Sequence, residues 1–261
     1  MVYGKVSLGP TRLGSKVSQI NDSVAREEVK GYLKTLRIVT SGFPGFDDGD
    51  DTDVGLVIAE SFPSAMRAER SLDIKWEIPD ENLISTQDLF ADAKASIETS
   101  KSFQLLRVGN VEEVLQNAQK KLVSVYETNM IEHAALEPRS ATVQEIDGVY
   151  HIYSSAHTPS MLVPGIAREL GVSADQVTYH PHLIGGSFGD KIYSDQIVLA
   201  AKACKELGRP VKVMLTREDQ FNLGHPKSIS VQRFQAAIRK DKNLAWSHKF
   251  EGLKHDLVAG K

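Results

Sequence analysis

Residues 177–191 place three glycines between a strand pattern and a helix pattern. Gly185, Gly186 and Gly189 lie close together, and glycine adopts positive φ without steric cost and lets another group approach the backbone. The β-branched and aromatic residues before them favour a strand, and the apolar spacing after Ser194 favours a helix. A strand, a glycine-rich loop and a helix can together present backbone N–H groups to an anion. The spacing matches neither G-x-G-x-x-G nor the P-loop, so a plain turn and a ligand cradle both stay open.

Composition limits the classes of function. The chain has 261 residues, of which 41% are hydrophobic and 25% charged, with a net charge of −3. These values are typical of a soluble globular protein of about two domains, and they do not favour nucleic-acid binding. No apolar run approaches the ~20 residues of a membrane span. The first residues lack the basic segment and apolar core of a signal peptide, so we expect a cytoplasmic protein, and export together with a partner stays open.

Cys204 is the single cysteine of the chain. One thiol permits no internal disulfide and no zinc site of the cysteine-pair type, and an iron–sulfur cluster usually takes about four cysteines. Cys204 lies on the apolar face of an amphipathic helix that we expect Gly208 to end. It is therefore predicted to be a core residue rather than a nucleophile.

Hydrophobic periodicity predicts a mixture of strands and helices. Predicted strands cover residues 2–8, 36–40, 54–59, 73–76, 122–128, 141–146, 149–154, a stretch from 177, 210–216, 228–239 and 245–251. Predicted helices cover residues 24–33, 62–72, 109–118 and the stretch after Ser194. The polar residues 80–104 are interpreted as an irregular linker. Pro164 is expected to break a helix, which leaves residues 165–170 as the firm helical segment.

Three positions carry chemical signals that are weak by themselves. His180 and His182 point to one face of a strand, which fits either part of a metal site or an ordinary surface or core pair. Pro138 holds Glu137 out of helical geometry, so its carboxylate either orients a ligand or caps a neighbouring backbone. His157 stands in a turn, from which an imidazole N–H can donate a hydrogen bond.

Six short motifs occur in a fixed order along the chain. They are residues 133–138 (HAALEP), 154–159 (SSAHTP), 185–191 (GGSFGDK), 207–212 (LGRPVK), 216–219 (TRED) and 225–226 (HP). The series resembles the large subunit of the molybdenum hydroxylases, the xanthine dehydrogenase and aldehyde oxidase family, and most of all its isoquinoline 1-oxidoreductase beta-subunit branch. Residues 1–79 resemble the α/β hammerhead domain of the same family, particularly between Ala59 and Trp76.

The resemblance implies an α+β fold in two parts. An N-terminal α/β hammerhead domain would cover residues 1–79, and residues 80–104 would link it to the first half of a molybdopterin-binding mixed α/β domain at residues 105–261. Family large subunits continue well beyond this length, and the continuation carries the catalytic glutamate, which Glu137 is not assumed to replace. We therefore expect a split subunit, a truncated relative or a piece of a longer chain.

The resemblance also implies molybdenum held by molybdopterin, with no FAD, no iron–sulfur cluster and no direct molybdenum ligand on this chain. It assigns cofactor binding to His157, Gly185, Gly186, Ser187, Phe188 and Gly189. His157 stands where the family has a glutamine that donates to the apical oxo ligand, and Phe188 matches the phenylalanine of the substrate pocket. Ser187 and Asp190 depart from the family loop G-G-G-F-G-G-K, and Asp190 would place a carboxylate near an anionic cofactor.

The implied reaction is hydroxylation of an aldehyde or N-heteroaromatic carbon with water. In the family a glutamate acts as the general base beside the metal, and the electrons leave through iron–sulfur clusters. The implied partners are the C-terminal half of the large subunit and an iron–sulfur small subunit, and a homodimer stays open. We expect no turnover by this chain alone. The alternative is a non-catalytic binding or assembly relative, which His157, Ser187 and Asp190 favour.

Overall fold

A computed structural model describes residues 1–11, 14–41, 51–78, 85–99, 104–223, 226–238 and 244–252. Its strands are β1 (Val2–Ser7), β2 (Lys16–Asn21), β3 (Tyr32–Ser41), β4 (Asp51–Ala59), β5 (Asp73–Glu77), β6 (Lys120–Thr128), β7 (Ser140–Ile146), β8 (Val149–Ser154), β9 (Val177–Pro181), β10 (Val211–Met214), β11 (Ser230–Ile238) and β12 (Leu244–Gly252). Its α-helices are α1 (Ser23–Glu28), α2 (Phe62–Arg70), α3 (Thr86–Thr99), α4 (Val111–Asn117), α5 (Pro159–Leu170), α6 (Asp195–Leu207) and α7 (Arg217–Leu223). The predicted mixed α/β class is confirmed.

The described residues form two compact units. The first is drawn from Met1–Leu83 and Glu132–Pro226, and the second from Ile84–Ile131 and Lys227–Ala259. The packing units therefore do not follow the boundaries at residues 79 and 105. The assignment of residues 1–79 and 105–261 to two family domains stays a prediction.

One seven-stranded sheet forms the frame of the first unit. Its order is β3-β4-β1-β10-β7-β8-β9. The pairs β1–β10 and β8–β9 are parallel, and the other neighbours are antiparallel. Strand β7 begins, and strands β8 and β9 end, at the same end of the sheet. The loops that precede β7 and follow β8 and β9 are therefore brought together there.

Helix α6 packs against β7 and β10 and is buried along most of its length. Cys204 is 1% exposed on this helix, and burial raises the pKa of its thiol. A buried thiol with a raised pKa is a poor nucleophile. The prediction that Cys204 is a core residue is confirmed.

Helix α5 contains Pro164, so the predicted break at this residue is wrong. The helix begins at Pro159, where the missing N–H is not needed. A proline in a helix interior costs about 3 kcal/mol. Leu162, Ile166 and Leu170 are each no more than 1% exposed, and burial of such a side chain contributes about 1.5–3 kcal/mol. Packing of these three residues outweighs the local penalty.

Two other local predictions also fail. Helix α1 ends at Glu28, because Gly31 turns the chain with a φ of 84° and Tyr32 opens strand β3. The interpretation of residues 80–104 as irregular is wrong over Thr86–Thr99, which form α3. The sequence offered a signal for this helix, since Ser85 and Asp88 cap each other's backbone N–H groups in the manner of a capping box.

The second unit is an antiparallel sheet of order β12-β11-β6. Ala93 and Ile97 of α3 form a small buried cluster with Val231 of β11. On the sheet, the ring of Phe234 lies 5.6 Å from Tyr126 and 5.3 Å from Trp246, centroid to centroid. No helix in the described ranges is long and apolar enough to cross a membrane.

Candidate functional site

Three of the sequence motifs meet at the end of the large sheet. The N–H of Glu137 donates to the carbonyl of Gly185 at 3.1 Å, and the N–H of His157 donates to the carbonyl of Lys191 at 3.0 Å. The glycine loop is therefore hydrogen-bonded both to the loop before β7 and to the turn after β8. In the sequence, Glu137 and Lys191 are 54 residues apart.

The Glu137 carboxylate anchors the glycine loop. Its Oε2 accepts hydrogen bonds from the N–H of Gly185 at 2.8 Å, from Ser155 Oγ at 3.5 Å and from the Lys191 ammonium. The Lys191 side chain is fully buried, while that of Glu137 is 43% exposed. Burial raises the pKa of Glu137, but the Lys191, Gly185 and Ser155 donors together lower it below its ordinary 4.5. A carboxylate held this way neutralises a buried lysine and is poorly suited to accept a proton.

The loop has an unusual backbone. Gly186, Phe188 and Gly189 have φ angles of 86°, 55° and 109°. A non-glycine residue at positive φ stores strain, and such strain is found mostly at functional sites. Ser187 stabilises the turn, because its Oγ accepts from the N–H of Lys191 at 2.9 Å.

The backbone N–H groups of the loop differ in whether they have a hydrogen-bond partner. The N–H of Gly185 is bound to Glu137, and that of Asp190 to the carbonyl of Ser187. Within the described residues, the N–H groups of residues 186–189 make no hydrogen bond. Successive amides in such a conformation form a concave anion-binding site.

The loop is open to solvent and flanked by apolar side chains. Gly185 and Gly189 are exposed, and Phe188 is 71% exposed. Leu136 and Leu183 beside it are 89% and 96% exposed. Free amides together with exposed apolar groups fit a large ligand that carries anionic or oxo oxygen atoms, such as molybdopterin.

The two departures from the family loop turn inward. Ser187 is 5% exposed and Asp190 is fully buried. Asp190 Oδ2 accepts from Gln220 Nε2 at 2.9 Å. The carboxylate that was expected near an anionic cofactor is therefore held inside the protein, below the loop. His157 is exposed beside the loop, and its role as a donor to the cofactor stays a prediction.

A buried ionic network supports the loop from below. Arg139 Nη1 donates to Asp195 Oδ2 at 2.7 Å, and Arg139 Nε lies 3.6 Å from Asp190 Oδ2. Arg139 is 1% exposed, Asp190 is fully buried and Asp195 is 7% exposed. Sequence reasoning missed Arg139, because nothing in a local pattern distinguishes a buried arginine from a solvated one.

The TRED motif stabilises the same region. Asp219 pairs with Lys5 of β1 at 2.6 Å and accepts from the N–H of Thr216 at 2.8 Å. Arg217 donates to the carbonyl of Leu136 at 3.2 Å. The motif therefore connects strand β1 to the loop before β7. His225 of the last motif lies outside the described residues.

His180 and His182 do not form a metal site together. His180 Nε2 lies 3.0 Å from Nδ1 of His151 and its ring stacks on Tyr153. His182 contacts the edge of the same tyrosine ring. In the part of the chain that the structure describes, the one group of three candidate ligands contains Glu132, His133 and Asp190. Of these, sequence reasoning had singled out His133 and Asp190 for other reasons and had missed Glu132.

Comparison with known proteins shows which family the chain belongs to. A model described as the molybdopterin cofactor-binding domain matches residues 94–251. The chain is 32% identical over 243 residues to the membrane-bound aldehyde dehydrogenase (pyrroloquinoline-quinone) of Gluconacetobacter polyoxogenes, covering 91% of this chain and 30% of that protein. It is 25% identical over 270 residues to isoquinoline 1-oxidoreductase subunit beta of Brevundimonas diminuta, covering 99% and 32%. The aldehyde oxidoreductase of Desulfovibrio gigas matches with a TM-score of 0.70 and 17% identity, over 93% of this chain and 30% of that one.

The fold and the matched family model define a cofactor-binding module. The chain belongs to the molybdopterin cofactor-binding domain family, which confirms the resemblance to the molybdenum hydroxylase large subunit. It spans about a third of the length of the curated relatives described above, at 30% and 32%.

Replacing Gly185 with alanine tests how tightly the loop is held. A Cβ at this position would lie 2.6 Å from Cβ of Glu137 and 2.9 Å from its Oε2. We expect Gly185→Ala to lower the free energy of unfolding by about 1–3 kcal/mol, as overpacking does. At an uncrowded position with negative φ, glycine to alanine stabilises by about 0.4–1 kcal/mol. Urea denaturation measures whether the free energy of unfolding falls or rises in the variant. A rise would contradict the close contact between Gly185 and Glu137.

Proposed function

We propose that this chain supplies part of the cofactor site of a molybdenum oxidoreductase that hydroxylates an aldehyde or N-heteroaromatic carbon with water. In this proposal residues 1–79 are the hammerhead domain, residues 80–104 connect it, and residues 105–261 are the first half of the molybdopterin-binding domain. The observation that carries the proposal is the open glycine loop: the amides of residues 186–189 make no hydrogen bond to any described residue, and Phe188 is exposed. The proposal keeps the cytoplasmic location expected from the sequence.

The residues of the loop have separate roles in this proposal. The N–H groups of Gly186 and Gly189 bind oxygen atoms of the cofactor, and His157 donates a further hydrogen bond from the adjacent turn. Phe188 lines the substrate side and excludes water. When bound, molybdopterin-held molybdenum supplies the redox chemistry and the activation of water.

The proton acceptor belongs to another part of the enzyme. Glu137 is bound to Lys191 and Gly185, and its pKa is lowered rather than raised. A general base works best with a pKa near the working pH. We therefore propose that the base lies in a C-terminal half of the large subunit, that an iron–sulfur small subunit takes the electrons, and that this chain alone has no turnover. It would carry neither FAD nor an iron–sulfur cluster.

Cofactor content and turnover test this proposal together. The chain is purified alone and in a complex with a separately produced C-terminal half of the large subunit and the iron–sulfur small subunit, with an artificial electron acceptor added for the turnover assay. Molybdenum, pterin and pyrroloquinoline quinone are quantified in both preparations. We expect about one molybdenum per complex, with aldehyde or N-heterocycle oxidation only in the complex. Full activity of the isolated chain would contradict the proposal. Stoichiometric pyrroloquinoline quinone in place of molybdenum would also contradict it; this quinone is the cofactor in the name of the Gluconacetobacter relative.

A non-catalytic binding or assembly role is the second candidate. The position that favours it is His157, which is exposed beside the loop where the family has a glutamine. Ser187 and Asp190 also replace family glycines, but their side chains are buried below the loop. Under this alternative the complex assembles but stays free of molybdenum. The variant His157→Gln, prepared in the same complex, shows whether the histidine itself prevents cofactor binding.

A further inference from the structure

A cluster of buried acceptor atoms lies behind the glycine loop. The candidate ligand atoms of Glu132, His133 and Asp190 all lie within 4.8 Å of one another. Both carboxylate oxygens of Glu132, Nδ1 of His133 and Oδ1 of Asp190 are buried and have no hydrogen-bond partner among the residues that the structure describes. Buried polar groups in native proteins are nearly always satisfied, so this cluster requires an explanation.

Asp190 is the most informative member, because its two oxygens are treated differently. Oδ2 accepts from Gln220 at 2.9 Å and lies 3.6 Å from Arg139 Nε, whereas Oδ1 has no partner although the residue is fully buried. Carboxylates that bind metals are commonly held in this way, with one oxygen on the metal and supporting hydrogen bonds on the rest of the group. The free oxygen belongs to the same cluster as Glu132 and His133.

The chemistry of the cluster favours a cation over water. The carboxylate oxygens of Glu132 and Asp190 and the imidazole Nδ1 of His133 can each donate an electron pair to a cation, and one water brings two hydrogens to four such atoms. Arg139 lies beside Asp190, and its Nε and Nη2 make no hydrogen bond within the described residues, but it already pairs with Asp195. In the described residues Glu132 has no ion pair, so its charge is left without compensation.

We propose that Glu132, His133 and Asp190 bind a divalent transition-metal ion such as Zn²⁺ or Mn²⁺. An imidazole nitrogen with two carboxylates suits these ions better than Mg²⁺ or Ca²⁺, which prefer oxygen ligands alone. Metal bonds of about 2.0–2.2 Å would bring the donors to roughly 3.3 Å from one another. The ion would tie the segment before β7 to the loop that follows β9, and it would fix the turn at Gly189, whose added Cβ would lie 2.9 Å from His133 Nε2.

Metal binding by the whole chain, without pterin, tests this site separately from the proposed enzymatic function. The chain is stripped with a chelator and titrated calorimetrically with Zn²⁺ and Mn²⁺, and the bound metal is quantified after dialysis. We expect one equivalent of metal and an increased melting temperature in wild type. In His133→Gln and Glu132→Gln the affinity should fall at least about tenfold, since even outer-shell changes cost about 10–100-fold.

His182→Ala provides the matched control, because His182 is exposed and lies outside the cluster. It should bind metal as wild type does. The half-buried His133 is the primary variant, since Asp190→Asn also disturbs the contact to Arg139 and is used only if it folds. No binding by wild type, or equal binding by wild type and His133→Gln, would overturn the site.

Discussion

Replacing Arg139 with methionine is expected to lower the free energy of unfolding by about 3–5 kcal/mol, the usual cost of removing one partner of a buried ion pair. Arg139 lies between Asp195 at 2.7 Å and Asp190 at 3.6 Å, and all three are buried. Methionine fills part of the volume but removes the guanidinium that faces the carboxylates of Asp195 and Asp190. Chemical denaturation at pH 7 in the presence of a chelator measures the effect without any contribution from bound metal.

Two further variants show that the effect comes from burial and geometry. Arg139→Lys keeps the charge but cannot reproduce the guanidinium fork, so we expect an intermediate loss. Arg26→Met removes an arginine that is 65% exposed and paired with Asp22 one helical turn away, where solvent screens the pair. A loss at Arg139→Met no larger than at Arg26→Met would contradict the described network.

Replacing Glu137 is expected to lower the free energy of unfolding more than replacing its partner Lys191. Glu137→Gln leaves the fully buried Lys191 ammonium without its counter-ion, and we expect a loss of about 3 kcal/mol. Lys191→Met leaves a carboxylate that is 43% exposed and can be hydrated, so about 1 kcal/mol is expected. The double variant should resemble Lys191→Met. Equal losses in the two single variants would contradict this account of the buried lysine.

The stability difference between wild type and Glu137→Gln is expected to shrink at acidic pH. The folded-state pKa of Glu137 is lowered from 4.5, so its contribution is fully present above about pH 4.5 and is lost as the pH falls through the folded pKa. The stability difference between wild type and Glu137→Gln should therefore be constant from pH 7 to about 5 and narrow below about 4.5. A difference that grows on acidification would show that the carboxylate is not held as described.

Local sequence patterns predicted much of the secondary structure near the site. The strands β7 and β8, the strand β9 before the glycine loop, and the buried Cys204 all follow from short-range signals. Such signals act over a few residues. They succeed where the chain's own neighbours determine the conformation.

Contacts between distant residues were not predictable in the same way. Nothing in the pattern around Glu137 indicates that its partner is Lys191, and Arg139 is 56 residues from Asp195. The pairing of β1 with β10 likewise joins the two ends of the first unit. The helix through Pro164 shows the same limit, since burial against the sheet overrides a local preference.

The most direct measurement is amide hydrogen exchange at residues 186–189, compared in the assembled complex with and without bound molybdopterin cofactor. These four N–H groups have no partner within the described residues, so they should exchange fast without cofactor. The account predicts marked slowing at these amides when the cofactor is bound and no change around Gly208, at the far end of helix α6. Equal exchange at residues 186–189 in both states would show that the loop does not hold the cofactor.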